Sequence, residues 1–177
     1  MLGVGKMRFV PYITDNSGSR IYVDILPMTL ADAHRTSENP KWQTSWESDY
    51  IYSEEYEKYA VKLDDELIAL GAYEILDSSL VVHIVYLEAH PESNPVISGK
   101  NRKYYGIGQL LIAYGIKLSV DNGFGGDVIL EAKTPELAEH YIDDFGAVQL
   151  PGFHSFAPRF LIADDAAKRI FFRYLTE

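Results

Sequence analysis

A mixed β-sheet with helices packed over it, an α/β chain of the α+β kind, is the architecture this sequence predicts. Two observations carry it. Between residues 59 and 89, three β-rich runs are separated by short polar turns, as in an antiparallel meander. Beyond residue 107 helical and strand patterns alternate, and strands followed by alternating elements give a mixed sheet covered by helices. The 177 residues suit a single domain over 1–177. Within it, 1–19 reads as an N-terminal extension and turn, and 164–177 as a C-terminal helix.

The elements follow in order. Arg20 to Leu26 is β-branched and aromatic and stops at a proline, so it reads as a strand. Thr29, with Asp32 three positions on, caps a short helix through Arg35. From Pro40 to Tyr59 the chain is aromatic and acidic without a period, which predicts a helical or irregular arm. Tyr59–Leu63, Leu67–Leu76 and Leu80–Ala89 are the meander strands, and Pro91–Asn101 is a loop. Ile107, Leu110, Leu111, Tyr114 and Leu118 have amphipathic-helix spacing, closed by Asn122-Gly123. Asp127–Ala132 reads as a strand buried on both faces. Thr134-Pro135-Glu136 opens a helix that runs to Phe145 and Gly146. Ala147–Leu150 and Arg159–Ala163 close the sheet at about six to seven strands, and a last helix begins near Asp164.

Composition narrows the function. Hydrophobic residues are 47% and charged residues 24%, too apolar for intrinsic disorder. There is no cysteine, which removes disulfides, thiolate metal sites and cysteine nucleophiles, and fits a cytoplasmic location. Twenty-six acids against sixteen bases give a formal charge of −10, which repels nucleic acid and favours a cationic partner. No apolar run reaches the ~20 residues of a membrane span, and the opening residues do not predict a secretory leader. His34, His90, His140 and His154 lie far apart in sequence, without metal-ligand spacing, so no metal is expected. There is no G-x-S-x-G elbow and no G-x-x-x-x-G-K-[ST] loop, which counts against an esterase and a P-loop NTPase.

The stretch KNRKYYGIGQLL, Lys100 to Leu111, carries the chemistry. Gly106 and Gly108 stand where a loop becomes a helix. Glycine lets main chain approach a ligand, and the first helical N–H groups have no internal partners. Together these make an anion cradle. Lys100, Arg102 and Lys103 add three of the sixteen basic residues within four positions.

This stretch resembles the signature loop of the GNAT N-acetyltransferase superfamily, [QR]-x-x-G-x-[GA]. Lys103-Tyr104-Tyr105-Gly106-Ile107-Gly108 matches except at its first position, where lysine stands. Leu87-Glu88-Ala89-His90-Pro91 is similar to the L-x-V-x-P strand end that precedes the loop. Here the proline and Lys103 are twelve apart, so the connection is longer. Ala138, Phe145, Gly146 and Ala147 fit a third motif, A-x-x-[FL]-Y-x-x-x-G-[FA]. The resemblance spans about residues 20 to 163 and implies transfer of an acyl group, most simply acetyl, from acetyl-CoA to a primary amine.

Several roles are implied with it. The amides of Tyr104, Tyr105, Gly106, Ile107, Gly108 and Gln109 would hold the pyrophosphate of coenzyme A, with charge from Lys100, Arg102 or Lys103. The main chain of Leu87 and Ala89 would pair with the pantetheine arm like an added strand. The position of the family's basic glutamate is taken by His83, whose imidazole titrates near neutrality. Glu74 and Glu88 are other candidate bases. The family's acidic tyrosine would fall at Ile142, with Tyr141 one step early, about 100° around the helix.

The acceptor would be a small-molecule or protein amine. Residues 41–66 hold eight acids and three bases beside two tryptophans and several tyrosines, which suits a cationic amine. A solvated acidic face over packed aromatics gives the same pattern. Exposed strand edges leave a homodimer open. The rival reading is a non-catalytic module of the same fold that binds coenzyme A as a sensor.

Overall fold

The computed structural model describes residues 7–51, 55–152 and 157–176. Three short strands come first, β1 (Arg8–Phe9), β2 (Tyr12–Thr14) and β3 (Arg20–Tyr22). Next are β4 (Asp24–Pro27), α1 (Leu30–Arg35) and the meander strands β5 (Glu57–Leu63), β6 (Glu66–Leu76) and β7 (Val81–Ala89). A 3-10 turn (Pro91–Ser93) and the single-turn α2 (Pro95–Ser98) lead to α3 (Ile107–Asp121). Then follow β8 (Val128–Glu131), α4 (Pro135–Phe145), β9 (Val148–Gln149), β10 (Arg159–Ile162), α5 (Asp164–Phe172) and β11 (Leu175–Thr176).

Seven strands hydrogen-bond in the order β4-β5-β6-β7-β8-β10-β9. β4, β5 and β6 pair antiparallel in sequence, as do β8, β10 and β9, and β7 pairs parallel with β8. The sheet is mixed, as expected. The parallel ladder joins Val82 to Val128, His83 to Ile129 and Ile84 to Leu130, and β7 then runs on to Ala89.

The chain divides into two compact units whose segments alternate along the sequence. One contains residues 11–74 and 86–111. Its core holds Trp42, Trp46, Ile51, Val61, Leu70 and Tyr73, all buried, and the Tyr73 hydroxyl donates to the Leu111 carbonyl at 2.6 Å. In this unit α1 begins with a capping box. The Thr29 hydroxyl accepts from the Asp32 amide at 3.1 Å, and the Thr29 amide donates to the Asp32 carboxylate at 2.9 Å. The second Asp32 oxygen lies 2.8 Å from the Lys62 ammonium, so the buried charge is compensated.

The other unit contains residues 1–10, 75–85 and 112–177, within the described ranges. Val82, Ile84, Val128, Leu130, Phe160 and Ile162 are buried along its strands, and Ile116, Ala167 and Ile170 along its helices. Here α4 starts as its sequence requires, with the Thr134 hydroxyl accepting from the Leu137 amide and Pro135 at the first helical position.

Three expectations change. The Arg20–Leu26 strand is two strands meeting at buried Val23, because β3 pairs with β2 while β4 pairs with β5. The Pro91–Asn101 loop contains two helical turns, each begun by a side chain that accepts an amide, His90 for the first and Asn94 for the second. The 1–19 extension contains β1 and β2, whose partners β11 and β3 give such short segments their shape. The meander, α1, α3, α4, β8 and β10 stand within about two residues of their expected bounds. The expected 164–177 helix begins at Asp164 but ends at Phe172, because Leu175–Thr176 form β11 against β1.

Candidate functional site

The glycine turn lies in the unit of residues 11–74 and 86–111. Gly106 has φ +79°, a conformation that a side chain strains, and a Cβ there would meet no heavy atom within 4 Å. Gly108, the second residue of α3, also has open space where a Cβ would stand. Nothing in the chain's own packing therefore demands glycine at 108, where a helix ordinarily loses about 1 kcal/mol to it. Main chain that is bare on its outer side can receive a ligand at close range.

The amides of the motif divide into two sets. Lys103 donates to the Glu92 carbonyl, Tyr104 to the Ser93 hydroxyl at 3.0 Å, and Tyr105 to the Thr14 carbonyl at 2.8 Å. Thr14 returns its own amide to the Tyr105 carbonyl at 3.0 Å. Tyr104 and Tyr105 thus anchor the turn and have no amide left for a phosphate. Among the described residues, the amides of Gly106, Ile107 and Gly108 have no hydrogen-bond partner, and Gln109 follows in the same first turn of α3. Of the six amides of the implied cradle, those of residues 106–108 are thus unpartnered among the described residues, and they stand at the positive end of a 15-residue helix.

The basic residues divide as well. Lys103 places its ammonium 2.8 Å from Glu66 and 3.7 Å from Glu92, and the hydrogen bond to Glu66 raises its pKa. Its charge is already answered. Arg102 lies over the Tyr105 ring at 4.5 Å, with its Nε buried and unpaired. A planar cation held by an aromatic face, with an unsatisfied donor, is suited to an incoming anion. Lys100 is exposed, and its carbonyl accepts the Tyr105 hydroxyl at 2.7 Å.

His83 and Tyr141 lie in the other unit. The Nε2 atom of His83 is 2.7 Å from Oε2 of Glu131, and Oε1 of Glu131 is 3.0 Å from Nε of Arg159. Burial pushes the Glu131 carboxyl up, but the hydrogen bond and charge of His83, and then Arg159, outweigh it and hold the pKa below its ordinary value. Tyr141 is buried, with its ring edge-on to Phe160 at 6.1 Å and near Phe145 at 6.5 Å. Burial, then the charge of Glu131, push its pKa up to about 12. Among the described residues no hydrogen bond joins Tyr141 to His83. Ile142, where the resemblance puts a tyrosine, is 46% exposed. α4 therefore turns Tyr141 inward.

Glu131 and Arg159 were not among the candidates from sequence. The signal was a carboxylate in a strand that otherwise reads as buried on both faces, because a charge there needs a partner.

The candidate acceptor wall is corrected in part. Trp46 is fully buried and Trp42 nearly so, although Trp42 lines a small pocket with Arg35, Glu38, Glu66 and His90. The Trp46 indole N–H donates to Glu88 at 3.0 Å, and the amides of Gln43 and Thr44 donate to the same carboxylate at 2.8 and 3.4 Å. With three donors, Glu88 ties the irregular arm to β7 and is occupied as a base. Tyr50 is exposed, edge-on to Tyr86 at 5.4 Å, and burial together with the charge of Glu74 raises the pKa of Tyr56. Among the described residues, no group of three or more His, Asp and Glu side chains could hold a metal ion, and no helix is long and apolar enough to cross a membrane.

No protein-family model matches the sequence, and no curated protein is significantly similar to it. Solved structures are similar in fold. The GNAT domain of S. lividans PAT superposes with a TM-score of 0.57 at 12% identity, over 86% of this chain and 96% of that one. A PaiA N-acetyltransferase from Thermoplasma acidophilum in complex with coenzyme A gives 0.56 at 13% identity, over 81% of this chain and 100% of that one. A putative streptothricin acetyltransferase from Bacillus anthracis in complex with acetyl coenzyme A gives 0.55 at 13% identity, over 81% and 98%.

Proposed function

We propose that this chain, which has the fold of the GNAT N-acetyltransferases, transfers an acetyl group from acetyl-CoA to a primary amine. One observation carries the reading. Among the described residues the Gly106–Gly108 amides are without partners, at a helix N-terminus, with open space where a Cβ would stand on either glycine. A pyrophosphate accepts hydrogen bonds from such amides, and the buried Nε of Arg102 supplies a further donor beside them in sequence. The main chain of Leu87 and Ala89, where β7 runs past its ladder with β8, pairs with the pantetheine arm.

The chemistry asks for little more. The amine nitrogen bonds to the thioester carbon, the carbon–sulfur bond breaks, and sulfur leaves with the electron pair. His83 takes the proton that the nitrogen releases. Tyr141 gives a proton to the departing sulfur, and its raised pKa keeps that proton in place at neutral pH. The charge of −10 and the tyrosines and acids around Tyr56 favour a cationic acceptor. The protein acts in the cytoplasm without a metal.

A second reading is a non-catalytic module that binds coenzyme A. The inward packing of Tyr141 and the isoleucine at 142 favour it. Thermal unfolding with acetyl-CoA, followed by thiol release with a panel of cationic amines, separates the two. The enzyme shows both a ligand-dependent rise in Tm and turnover, and the module shows the rise alone. No rise at millimolar ligand contradicts both, since a ligand in excess of its Kd stabilises the native state.

A further inference from the structure

We propose that Glu131 is a positioning residue for His83, holding the imidazole as the proton acceptor of the transfer while Arg159 holds the other carboxylate oxygen. The inference rests on the acyltransferase reading. It begins in sheet register. His83 is level with Ile129 in the parallel β7–β8 ladder, and Glu131 lies two residues on, so the two side chains share a face. Arg159 is directly across from Glu131 in the antiparallel β8–β10 ladder, on that same face. Three adjacent strands therefore place base, carboxylate and guanidinium in a row.

Distances and burial agree with the row. Among the described residues each Glu131 oxygen has one partner, at 2.7 and 3.0 Å, and the His83 side chain is only 13% exposed. With Nε2 donating to Glu131, the basic nitrogen of the imidazole is Nδ1. When the amine nitrogen bonds to the acetyl carbon and sulfur leaves with its electron pair, the released proton moves to Nδ1, and the Glu131 charge stabilises the imidazolium. Among the described residues, the charged and titratable groups placed around Glu131 are His83 on β7 and Arg159 on β10, with Tyr141 on α4 close enough to feel its charge.

The test uses the full chain, acetyl-CoA and whichever amine the panel identifies, and records kcat/KM against pH. In parallel, imidazole ¹⁵N shifts report the His83 tautomer. E131Q keeps the shape and removes the charge. It should lower kcat/KM roughly 10- to 100-fold with KM for acetyl-CoA unchanged. It should also move the acidic limb of the profile about one unit to lower pH. R159M removes the competing cation and should move that limb the opposite way by less. E131D, which keeps the charge and is the check against misfolding, should recover part of the rate. An E131Q profile that overlays the wild type, or limbs that move the same way in E131Q and R159M, overturns the inference while leaving the acyltransferase reading standing. Wild-type protein that binds acetyl-CoA but turns over no amine removes the enzyme reading, and this inference with it.

Discussion

The glycine turn and the Glu131 cluster would serve the proposed transfer with different parts of the chain. The turn uses main chain: Thr14 and Ser93 occupy the amides of Tyr105 and Tyr104, and those of Gly106 to Gly108 are left to a ligand. The cluster uses side chains from three strands, with 48 residues between His83 and Glu131 and 28 between Glu131 and Arg159. A main-chain site is written in consecutive residues and tolerates changes that preserve backbone shape. A side-chain site exists only once strand register is set, and it depends on charge. Substitutions should therefore separate the two by kind of damage.

The largest effect is expected from H83Q. It should lower kcat by 10²- to 10⁴-fold, the usual contribution of a positioned base, with affinity for acetyl-CoA unchanged. Calorimetric titration beside steady-state kinetics checks this. Equal loss in binding would mean that the cluster serves the cofactor as well, and the contrast would break.

A buried pair outside both regions calibrates what loss of charge alone does. D32N leaves Lys62 without its partner and should cost about 3 kcal/mol in urea unfolding. Burial raises the Asp32 carboxyl, but Lys62 and Thr29 outweigh it, so its pKa stands below the ordinary value. Its stabilisation is then complete above the unfolded-state pKa and is lost as pH falls through the lower, folded one. D32N should flatten the acid side of the stability profile accordingly.

G108V comes next. Among the described residues a Cβ at 108 meets no heavy atom within 4 Å, so Tm should change by no more than about 3 °C. Affinity for acetyl-CoA should fall at least about tenfold, the worth of one charge-assisted hydrogen bond. Smallest is the effect of K103Q. Glu66 and Glu92 already answer that charge, and acetyl-CoA affinity should stay within about threefold, whereas R102Q should exceed that loss.

Much of the architecture was legible for local reasons. The Thr29–Asp32 and Thr134–Pro135 signals state helix starts in adjacent residues, and the meander's polar turns leave few alternatives. β1, β2 and β11 were not, because two- and three-residue strands owe their form to distant partners. The same holds within the candidate site. The family resemblance implied His83 and the amides of Tyr104 to Gln109. That Tyr104 and Tyr105 spend their amides on Ser93 and Thr14 depends on contacts 11 and 91 residues away, which no local pattern encodes. Trp42 and Trp46 illustrate the reverse. Their acidic neighbourhood fitted both an acceptor wall and a solvated face over packed aromatics, and the low exposure of both rings agrees with the second.

The most direct test of the central claim is an amide chemical-shift titration of ¹⁵N-labelled protein with coenzyme A. The account predicts saturable shifts largest at Gly106, Ile107 and Gly108, with the Tyr104 and Tyr105 amides moving least within the motif. Shifts centred elsewhere, or none at millimolar coenzyme A, would contradict it.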